Sequence, residues 1–231
     1  MNILITGASR GLGKEIALFF AQNYNCNLFL IAKNKSALLE LQLYIQNTFH
    51  TSVKVYDCDF EQSEKVDELG KILRLDIPVL DIFIQNAALF KYGNFNADNW
   101  QSLQSLTQIN TIAPYILAQN LQSSLHKKSL VFHIGSIVSK YPRTDLFNYT
   151  ISKNAFATFT KMLREEWITK GIKLIEIIPG SINTSSWDGM DVPREEFVQA
   201  QDIISVIQNA INLGDNCNLE EVVIRPMNRN F

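Results

Sequence analysis

The sequence contains few cysteines and histidines, and this shortage excludes two kinds of site. Its three cysteines, Cys26, Cys58 and Cys217, are far apart and not at metal-ligand spacing. They predict reduced thiols in a cytoplasmic protein rather than a disulfide framework. The three histidines form no ligand pair, and we therefore expect no metal site.

An excess of charge of either sign is also missing, as is any long apolar run. The formal net charge is −2 and no basic stripe occurs, so we expect no nucleic-acid partner. No apolar run approaches the roughly 18 residues that a membrane span needs, and Met1 leads into the first apolar run without a signal-peptide pattern. We therefore expect no membrane partner and a cytoplasmic location.

What the chain does have is an alternation of apolar runs and helical patterns, with hydrophobic residues making up 46% of the whole. The apolar runs are Ile3–Ile5, Asn27–Ala32, Val53–Tyr56, Val79–Ile84, Ser129–Ile134, Lys173–Ile178 and Val222–Ile224. The helical patterns cover about 11–24, 35–49, 62–75, 97–125, 147–170 and 200–213. The runs lack strict polar alternation, which is typical of parallel strands covered on both faces. The order predicts an α/β fold with a doubly wound parallel sheet of about seven strands, flanked by helices, in a single domain over residues 1–231.

A glycine-rich turn follows the first predicted strand. The strand ends at Thr6 and the helix begins near Gly11. Gly7 permits a tight turn, while Gly11 and Gly13 allow the backbone to approach a pyrophosphate and the sheet. The free N–H groups of the helix N-terminus favour phosphate. This context predicts a dinucleotide site in a Rossmann fold; the alternative is a glycine-rich turn without a ligand.

The end of the second predicted strand lacks the acidic residue that would bind ribose hydroxyls and repel a 2′-phosphate. Lys33 stands there instead, and Arg10 in the glycine turn supplies a second positive charge. We therefore predict that NADP(H) is preferred, with NAD(H) possible. The alternative is that Lys33 is only a solvated residue at a strand end.

Three residues in the second half of the chain have the spacing of a proton-transfer site. Tyr149 and Lys153 are four residues apart in a predicted helix and so share one face. An ammonium beside the phenol favours the phenolate, and we expect it to lower the pKa of Tyr149 by about one or two units. Ser136 follows a predicted strand, where its hydroxyl could stabilise charge on a substrate oxygen.

Together these motifs resemble the short-chain dehydrogenase/reductase family, of the single-domain type, over nearly the whole chain. The glycine turn matches T-G-x-x-x-G-x-G, and Ser136, Tyr149 and Lys153 match the family's serine and Y-x-x-x-K. Asn110 matches the helix asparagine that completes a catalytic tetrad. Residues 179–184 match the P-G-x-x-x-T segment after the sixth strand.

The resemblance implies a role for each of these residues. Tyr149 would be the general acid in reduction and the base in oxidation, and Lys153 would also hold the nicotinamide ribose. Asn110 would anchor a water that relays protons to Lys153. Ile182 and Thr184 would fix the nicotinamide carboxamide. The implied cofactor-binding set is Gly7, Ser9, Arg10, Gly11, Leu12, Gly13, Lys33, Asp59 (against adenine), Asn86 (on the adenosine side), Ala87, Tyr149, Lys153, Pro179, Gly180, Ile182 and Thr184.

One motif departs from the family pattern. The family's N-N-A-G after the fourth strand is Gln85-Asn86-Ala87-Ala88 in this chain. The second asparagine is kept, the first is replaced by a longer amide, and the final glycine has gained a methyl group. This change concerns the central sheet and the adenosine contact rather than the chemistry.

Substrate specificity is expected from loops above the catalytic residues, with residues 185–199 as the substrate loop. The candidate substrate residues are Phe90, Val138, Tyr141, Phe147 and Trp187. Their apolar character favours a hydrophobic or planar carbonyl substrate in an open cleft. The alternative is that they complete the core or a subunit contact.

Three functions therefore stay open. The first is NADPH-dependent reduction of a 3-oxoacyl group or another ketone or aldehyde. The second is NAD(P)-dependent oxidation of a secondary alcohol or sugar intermediate, and the third is a non-catalytic nucleotide-binding sensor or scaffold. The resemblance also implies a homodimer or homotetramer built on the helices at 97–125 and 147–170.

Overall fold

The computed structural model describes residues 1–184 and 187–228 of the chain. Ser185 and Ser186, the first two residues of the predicted substrate loop, lie outside the described residues. So do residues 229–231.

Within residues 1–184 and 187–228, seven strands form one parallel sheet. They are β1 (Asn2–Thr6), β2 (Asn27–Ala32), β3 (Ser52–Asp57), β4 (Leu80–Gln85), β5 (Leu125–Ile134), β6 (Lys173–Pro179) and β7 (Glu221–Ile224). Their order across the sheet is β3-β2-β1-β4-β5-β6-β7, and every neighbouring pair is parallel. The chain returns from the β3 edge to start β4 beside β1, which creates a crevice at the carboxyl ends of β1 and β4. The predicted doubly wound sheet is confirmed.

Helices cover both faces of the sheet. They are α1 (Gly11–Asn23), α2 (Lys35–Phe49), α3 (Ser63–Asp76), α4 (Trp100–Thr107), α5 (Ala113–Leu121), α6 (Phe147–Ile168) and α7 (Ala200–Ile211). Helices α1, α2 and α7 close one apolar core, and α3, α5 and α6 close the other. Short runs of large aliphatic residues in the strands fill both cores, as expected of a sheet buried on two sides.

The helix expected over residues 97–125 is shorter and interrupted. A π-helical turn at Gln108–Ile112 separates α4 from α5. Pro114 follows this turn and has no N–H to offer the carbonyl of Asn110, so the regular i→i−4 ladder cannot continue there. The end of the prediction was also wrong, since buried Leu125 pairs with Leu80 as the first residue of β5.

Within residues 1–184 and 187–228, the helices include none with both the length and the apolar character needed to cross a bilayer. The same residues contain no cluster of three or more His, Cys, Asp or Glu side chains suited to a metal ion.

Candidate active site

The glycine turn between β1 and α1 is packed too tightly for side chains. Gly7 and Gly11 have φ of 69° and 54°, the left-handed region that favours glycine. A Cβ on Gly13 would collide with the carbonyl oxygen of Gly7. The Asn86 Nδ2 donates to the carbonyl oxygens of Thr6 (2.9 Å) and Gly7 (3.3 Å), which fastens the turn to the end of β4.

The first turn of α1 is left open to an anion. Arg10 is the N-cap residue, and its side chain makes no capping hydrogen bond. The N–H groups of this first turn have no carbonyl partners inside the helix, and they carry the positive end of the helix dipole. The turn therefore fits the pyrophosphate of a dinucleotide.

The predicted cation at the end of β2 has an acidic partner. The Lys33 Nζ lies 2.7 Å from the Asp59 Oδ2. The hydrogen bond with Asp59 raises the pKa of the Lys33 ammonium. Burial opposes ionisation of Asp59, but the bond to Lys33 still holds the pKa of that carboxyl below its usual value. Asp59 thus partly neutralises Lys33, and exposed Arg10 is the stronger candidate to meet an added phosphate.

Tyr149 and Lys153 lie one turn apart on the face of α6 that packs against the sheet, 9% and 3% exposed. The Lys153 Nζ donates to the carbonyl oxygen of Ile134 at 3.0 Å. Ser136 follows β5 and caps the short 3₁₀ turn at Ile137–Ser139. The three predicted catalytic side chains are thus brought together at the carboxyl end of β5.

Burial, rather than charge pairing, dominates the electrostatics of these groups. It raises the pKa of the Tyr149 phenol to about 12, with the Ser136 hydroxyl opposing the shift. It lowers the pKa of the Lys153 ammonium to about 8, with Glu176 opposing. The expected lowering of the pKa of Tyr149 was therefore wrong, because loss of hydration outweighs the opposing hydrogen bond of Ser136.

Asn110 lies behind the cavity, in the π-helical turn, and is 1% exposed. Its Oδ1 accepts from the Leu89 N–H at 2.8 Å, and its Nδ2 donates to the Leu89 carbonyl oxygen and the Ser152 Oγ at 3.0 Å each. The amide thus ties the loop after β4 to α6. The water relay to Lys153 stays a prediction.

The segment that follows β6, up to Thr184, is held in place by hydrogen bonds from the loop at residues 187–199. Trp187 Nε1 donates to the Ile182 carbonyl oxygen at 3.0 Å, and Arg194 Nη2 donates to the Thr184 carbonyl oxygen at 2.9 Å. The Val198 N–H donates to the Ser181 carbonyl oxygen at 3.0 Å. Residues 187–199 thereby fold back over the predicted nicotinamide segment.

A cavity of about 630 Å³ runs along the carboxyl ends of the strands. Ser136 and every predicted cofactor-binding residue except Gly13 line it. Gly13 lies beneath the turn, against Gly7. Both ends of the predicted chemistry, the dinucleotide turn and the catalytic side chains, therefore open into one space.

Aromatic rings form one wall of this cavity beside the catalytic tyrosine. Phe90 packs edge-on against Tyr149 with centroids 5.1 Å apart, and Trp187 lies 5.6 Å from Phe90. Tyr92 extends this wall and was missed, although it is an aromatic residue two positions after Phe90.

Of the remaining predicted substrate residues, two line the cavity and one does not. Val138 and Tyr141 line the cavity, and Tyr141 carries the Arg225 guanidinium 4.9 Å from its ring centroid. Arg225 was also missed; its signal was its place directly after the last strand, at the carboxyl edge of the sheet. Phe147 is not among the residues that line the cavity; at the start of α6 its ring packs on Phe95, and its contact with substrate stays a prediction.

The segment Gln85-Asn86-Ala87-Ala88, which departs from the family motif, is hydrogen-bonded to the elements around it, although the buried Gln85 Oε1 has no partner among the described residues. Gln85 Nε2 reaches the Pro114 carbonyl oxygen at 3.2 Å, a bond that uses the longer side chain. Ala87 N–H donates to the Thr6 Oγ1 at 3.0 Å. Ala88 is not among the described residues with positive φ, so its backbone conformation does not require glycine.

Comparison with known proteins supports the resemblance to short-chain dehydrogenases. The short chain dehydrogenase family profile matches residues 1–192. An uncharacterized oxidoreductase from Staphylococcus epidermidis is 26% identical over 233 residues, covering 97% of this chain and 96% of its own. The structure of an alcohol dehydrogenase from the archaeon Thermococcus sibiricus, complexed with 5-hydroxy-NADP, superposes with a TM-score of 0.88 at 20% identity, covering 98% and 96% of the two chains. L-sorbose reductase from Gluconobacter frateurii, complexed with NADPH and L-sorbose, gives 0.86 at 21% identity, covering 96% and 94%.

Proposed function

The chain belongs to the short-chain dehydrogenase family, an oxidoreductase family, and on that basis we propose that it reduces a carbonyl group to an alcohol with NADPH. The observation that supports this best is the meeting of Tyr149, Lys153 and Ser136 in the same cavity as the glycine turn. A dinucleotide bound at that turn supplies hydride to the carbonyl carbon. The protein's own residues must then deliver a proton to the oxygen.

The protonated state of Tyr149 suits the role of proton donor in reduction. With its pKa raised to about 12, the phenol holds its proton at neutral pH and can act as a general acid. Ser136 would donate a hydrogen bond to the same substrate oxygen, and Lys153 would supply positive charge behind the phenol. Oxidation of a secondary alcohol, or of a sugar intermediate, uses these groups in reverse and remains the alternative.

The adenosine end supports NADP(H). Arg10 lies exposed at the N-terminus of α1, and Lys33 adds a cation that Asp59 partly neutralises. Solved relatives of the same fold carry NADP, 5-hydroxy-NADP or NADPH. NAD(H) would lose the contacts made to the 2′-phosphate, so weaker use of NADH is expected.

The aromatic wall favours a substrate with a hydrophobic or planar part beside its carbonyl. Phe90, Tyr92 and Trp187 line the cavity next to Tyr149. A 3-oxoacyl group, another ketone or an aldehyde would satisfy this surface. We expect these rings to contact the substrate rather than the nucleotide.

A homo-oligomer is expected from apolar side chains left exposed on α5 and α6. Tyr115, Ile151 and Met162 are 49%, 42% and 70% exposed. A second copy of the chain could cover them. Light scattering at working concentration tests this, and a monomer mass would contradict it.

The proposed function is tested by binding first and turnover second. Fluorescence titration with NADPH and NADH measures nucleotide affinity, and NADPH oxidation is then followed against ketones, aldehydes and 3-oxoacyl thioesters. Tight NADPH binding with turnover that disappears in Tyr149→Phe would support the reductase. Binding without turnover would favour a sensor, and absence of binding to either nucleotide would refute the proposal.

A further inference from the structure

A carboxyl group is buried in the sheet behind the active site. Glu176 lies in β6 and is fully buried. Within the described part of the chain, neither of its carboxylate oxygens has a hydrogen-bond partner. Burying an ionisable group without hydrogen-bond partners is unfavourable, so the charges around Glu176 decide whether it ionises.

The Glu176 carboxyl adjoins the same peptide link as Lys153. A Cβ on Gly135 would lie 2.7 Å from the Glu176 Oε1, so the carboxyl occupies the space that glycine leaves. The Lys153 Nζ donates to the carbonyl oxygen of Ile134, the preceding residue. The ammonium and the carboxyl therefore meet neighbouring atoms of the Ile134–Gly135 link, one from α6 and one from β6.

His133 of β5 and Arg164 of α6 are polar neighbours of Glu176, and neither hydrogen-bonds to it; the His133 Nε2 has no partner among the described residues. His133 is opposite Glu176 in the sheet, and its Nδ1 lies 2.7 Å from the Thr160 Oγ1. Burial, together with the charges of Arg164 and Lys153, lowers the pKa of His133 to about 3, so this ring is neutral. Arg164 donates to the carbonyl oxygens of Leu174 (3.0 Å) and Glu220 (2.6 Å).

On the β7 side the cations belong to another carboxylate. Glu221 is opposite Glu176 in the sheet, and Lys140, Lys161 and Arg164 all lie within 4.0 Å of its oxygens. Glu221 therefore repels a second negative charge at Glu176. Arg164, Lys140 and Lys153 all attract a negative charge at Glu176, and of these three Lys153 is the one that is not also within 4.0 Å of Glu221.

Both groups titrate close to neutral pH. Burial, followed by the charge of Glu221, raises the pKa of Glu176 to about 7, and Arg164, Lys140 and Lys153 oppose this. Burial lowers the pKa of Lys153 to about 8, and Glu176 opposes that shift. Each ion thus favours the charged form of the other.

We propose that Glu176 is a positioning residue that keeps Lys153 charged and thereby sets the alkaline limit of proton delivery from Tyr149. This rests on the proposed function, in which the Lys153 ammonium supports the phenol. Loss of the negative charge would leave a buried ammonium without its balancing ion. Lys153 would then lose its proton at a lower pH.

The test compares Glu176→Gln with the unchanged protein over pH 6 to about 10. We expect the alkaline limb of kcat/KM to move down by roughly one pH unit, with activity at pH 6.5 within about three-fold of the original. Glu220→Gln is the matched control, since it removes the same charge from an exposed side chain on the neighbouring residue before β7. That control should leave the limb in place.

A second readout does not need turnover. NMR titration of ¹⁵N-labelled lysine, with Lys153→Arg to assign the signal, should show the Lys153 midpoint falling by roughly one pH unit in Glu176→Gln. This still decides the role of Glu176 if no carbonyl substrate is ever turned over, so the two proposals fail separately. Glu176→Met should give the same shift if Glu176→Gln does not fold. A folded variant with an unchanged Lys153 midpoint would overturn the proposal.

Discussion

The two ends of the cavity use charge in opposite ways. At the catalytic end, Tyr149 and Lys153 are buried, and burial moves their pKa values to about 12 and about 8. At the adenosine end, the Lys33 side chain is 71% exposed, and its partner Asp59 retains contact with water. The pKa values of the ionisable side chains are thus set by loss of hydration at the catalytic end and by a solvent-screened ion pair at the adenosine end.

This difference assigns proton transfer to the buried end of the cavity and nucleotide selectivity to the exposed end. A substitution at the buried end changes which groups hold a proton, because little water is present to compensate. A substitution at the exposed end leaves protonation unchanged and alters only the attraction for an anionic ligand. The predictions below test this separation.

The largest effect is expected from Tyr149→Phe. The ring stays against Phe90, so folding and nucleotide binding should persist, while the proton donor is removed. Turnover should fall by about 1,000-fold, within the range for loss of a general acid. Steady-state kinetics with a verified carbonyl substrate measures this, and circular dichroism checks the fold. If Tyr149→Phe retained a tenth of the activity, a group other than Tyr149 would have to be the proton donor.

The next effect is expected between the two ends, from Gly13→Ala. The added methyl group would collide with the Gly7 carbonyl oxygen and push apart the turn that Asn86 fastens. Overpacking of this kind costs about 2 kcal/mol, and restoring the turn around the pyrophosphate at that cost would weaken NADPH binding by roughly 30-fold. Gly214→Ala is the control, since a Cβ there meets nothing within 4 Å. Equal affinities in the two variants would show that the turn is not the pyrophosphate site.

At the exposed end, Arg10→Glu should reduce kcat/KM for NADPH by about 10-fold, with the value for NADH changed by less than about three-fold. Lys33→Glu should act in the same direction but more weakly, because Asp59 already partly neutralises Lys33. Competition assays at two salt concentrations measure both ratios. A larger effect at Lys33 than at Arg10 would make Lys33 the main contact of the 2′-phosphate. Equal use of NADPH and NADH by the unchanged protein would contradict the predicted preference for NADPH.

The features that the sequence predicted are those with local signals. The strands are continuous apolar runs, the glycine turn is a short motif, and the spacing of Tyr149 and Lys153 follows helix geometry. Each of these depends on residues close together in the chain, and the structure contains each of them.

The features that were missed or wrong depend on contacts between distant residues. The pairing of Lys33 with Asp59 needs β2 and the end of β3 side by side. The raised pKa of Tyr149 comes from its burial, which only the packed helix reveals. Whether Phe147 contacts substrate also depends on such packing, since its ring lies against Phe95 at the start of α6. Glu176 has no motif around it, and its importance comes from the space left by Gly135.

The smallest effect is expected from Ala88→Gly, which restores the family's glycine between the two ends. Ala88 is exposed in the cavity and is not among the described residues with positive φ, so glycine should relieve no backbone strain there. The added freedom of glycine in the unfolded chain should lower the free energy of unfolding by at most about 1 kcal/mol. We expect kcat/KM to change by less than about two-fold, a factor equivalent to about 0.4 kcal/mol in the activation free energy. Urea denaturation and NADPH kinetics measure the two quantities. A gain of ten-fold or more would mean that the methyl group obstructs the nucleotide, and that this loop limits selectivity more than the charges of Arg10 and Lys33.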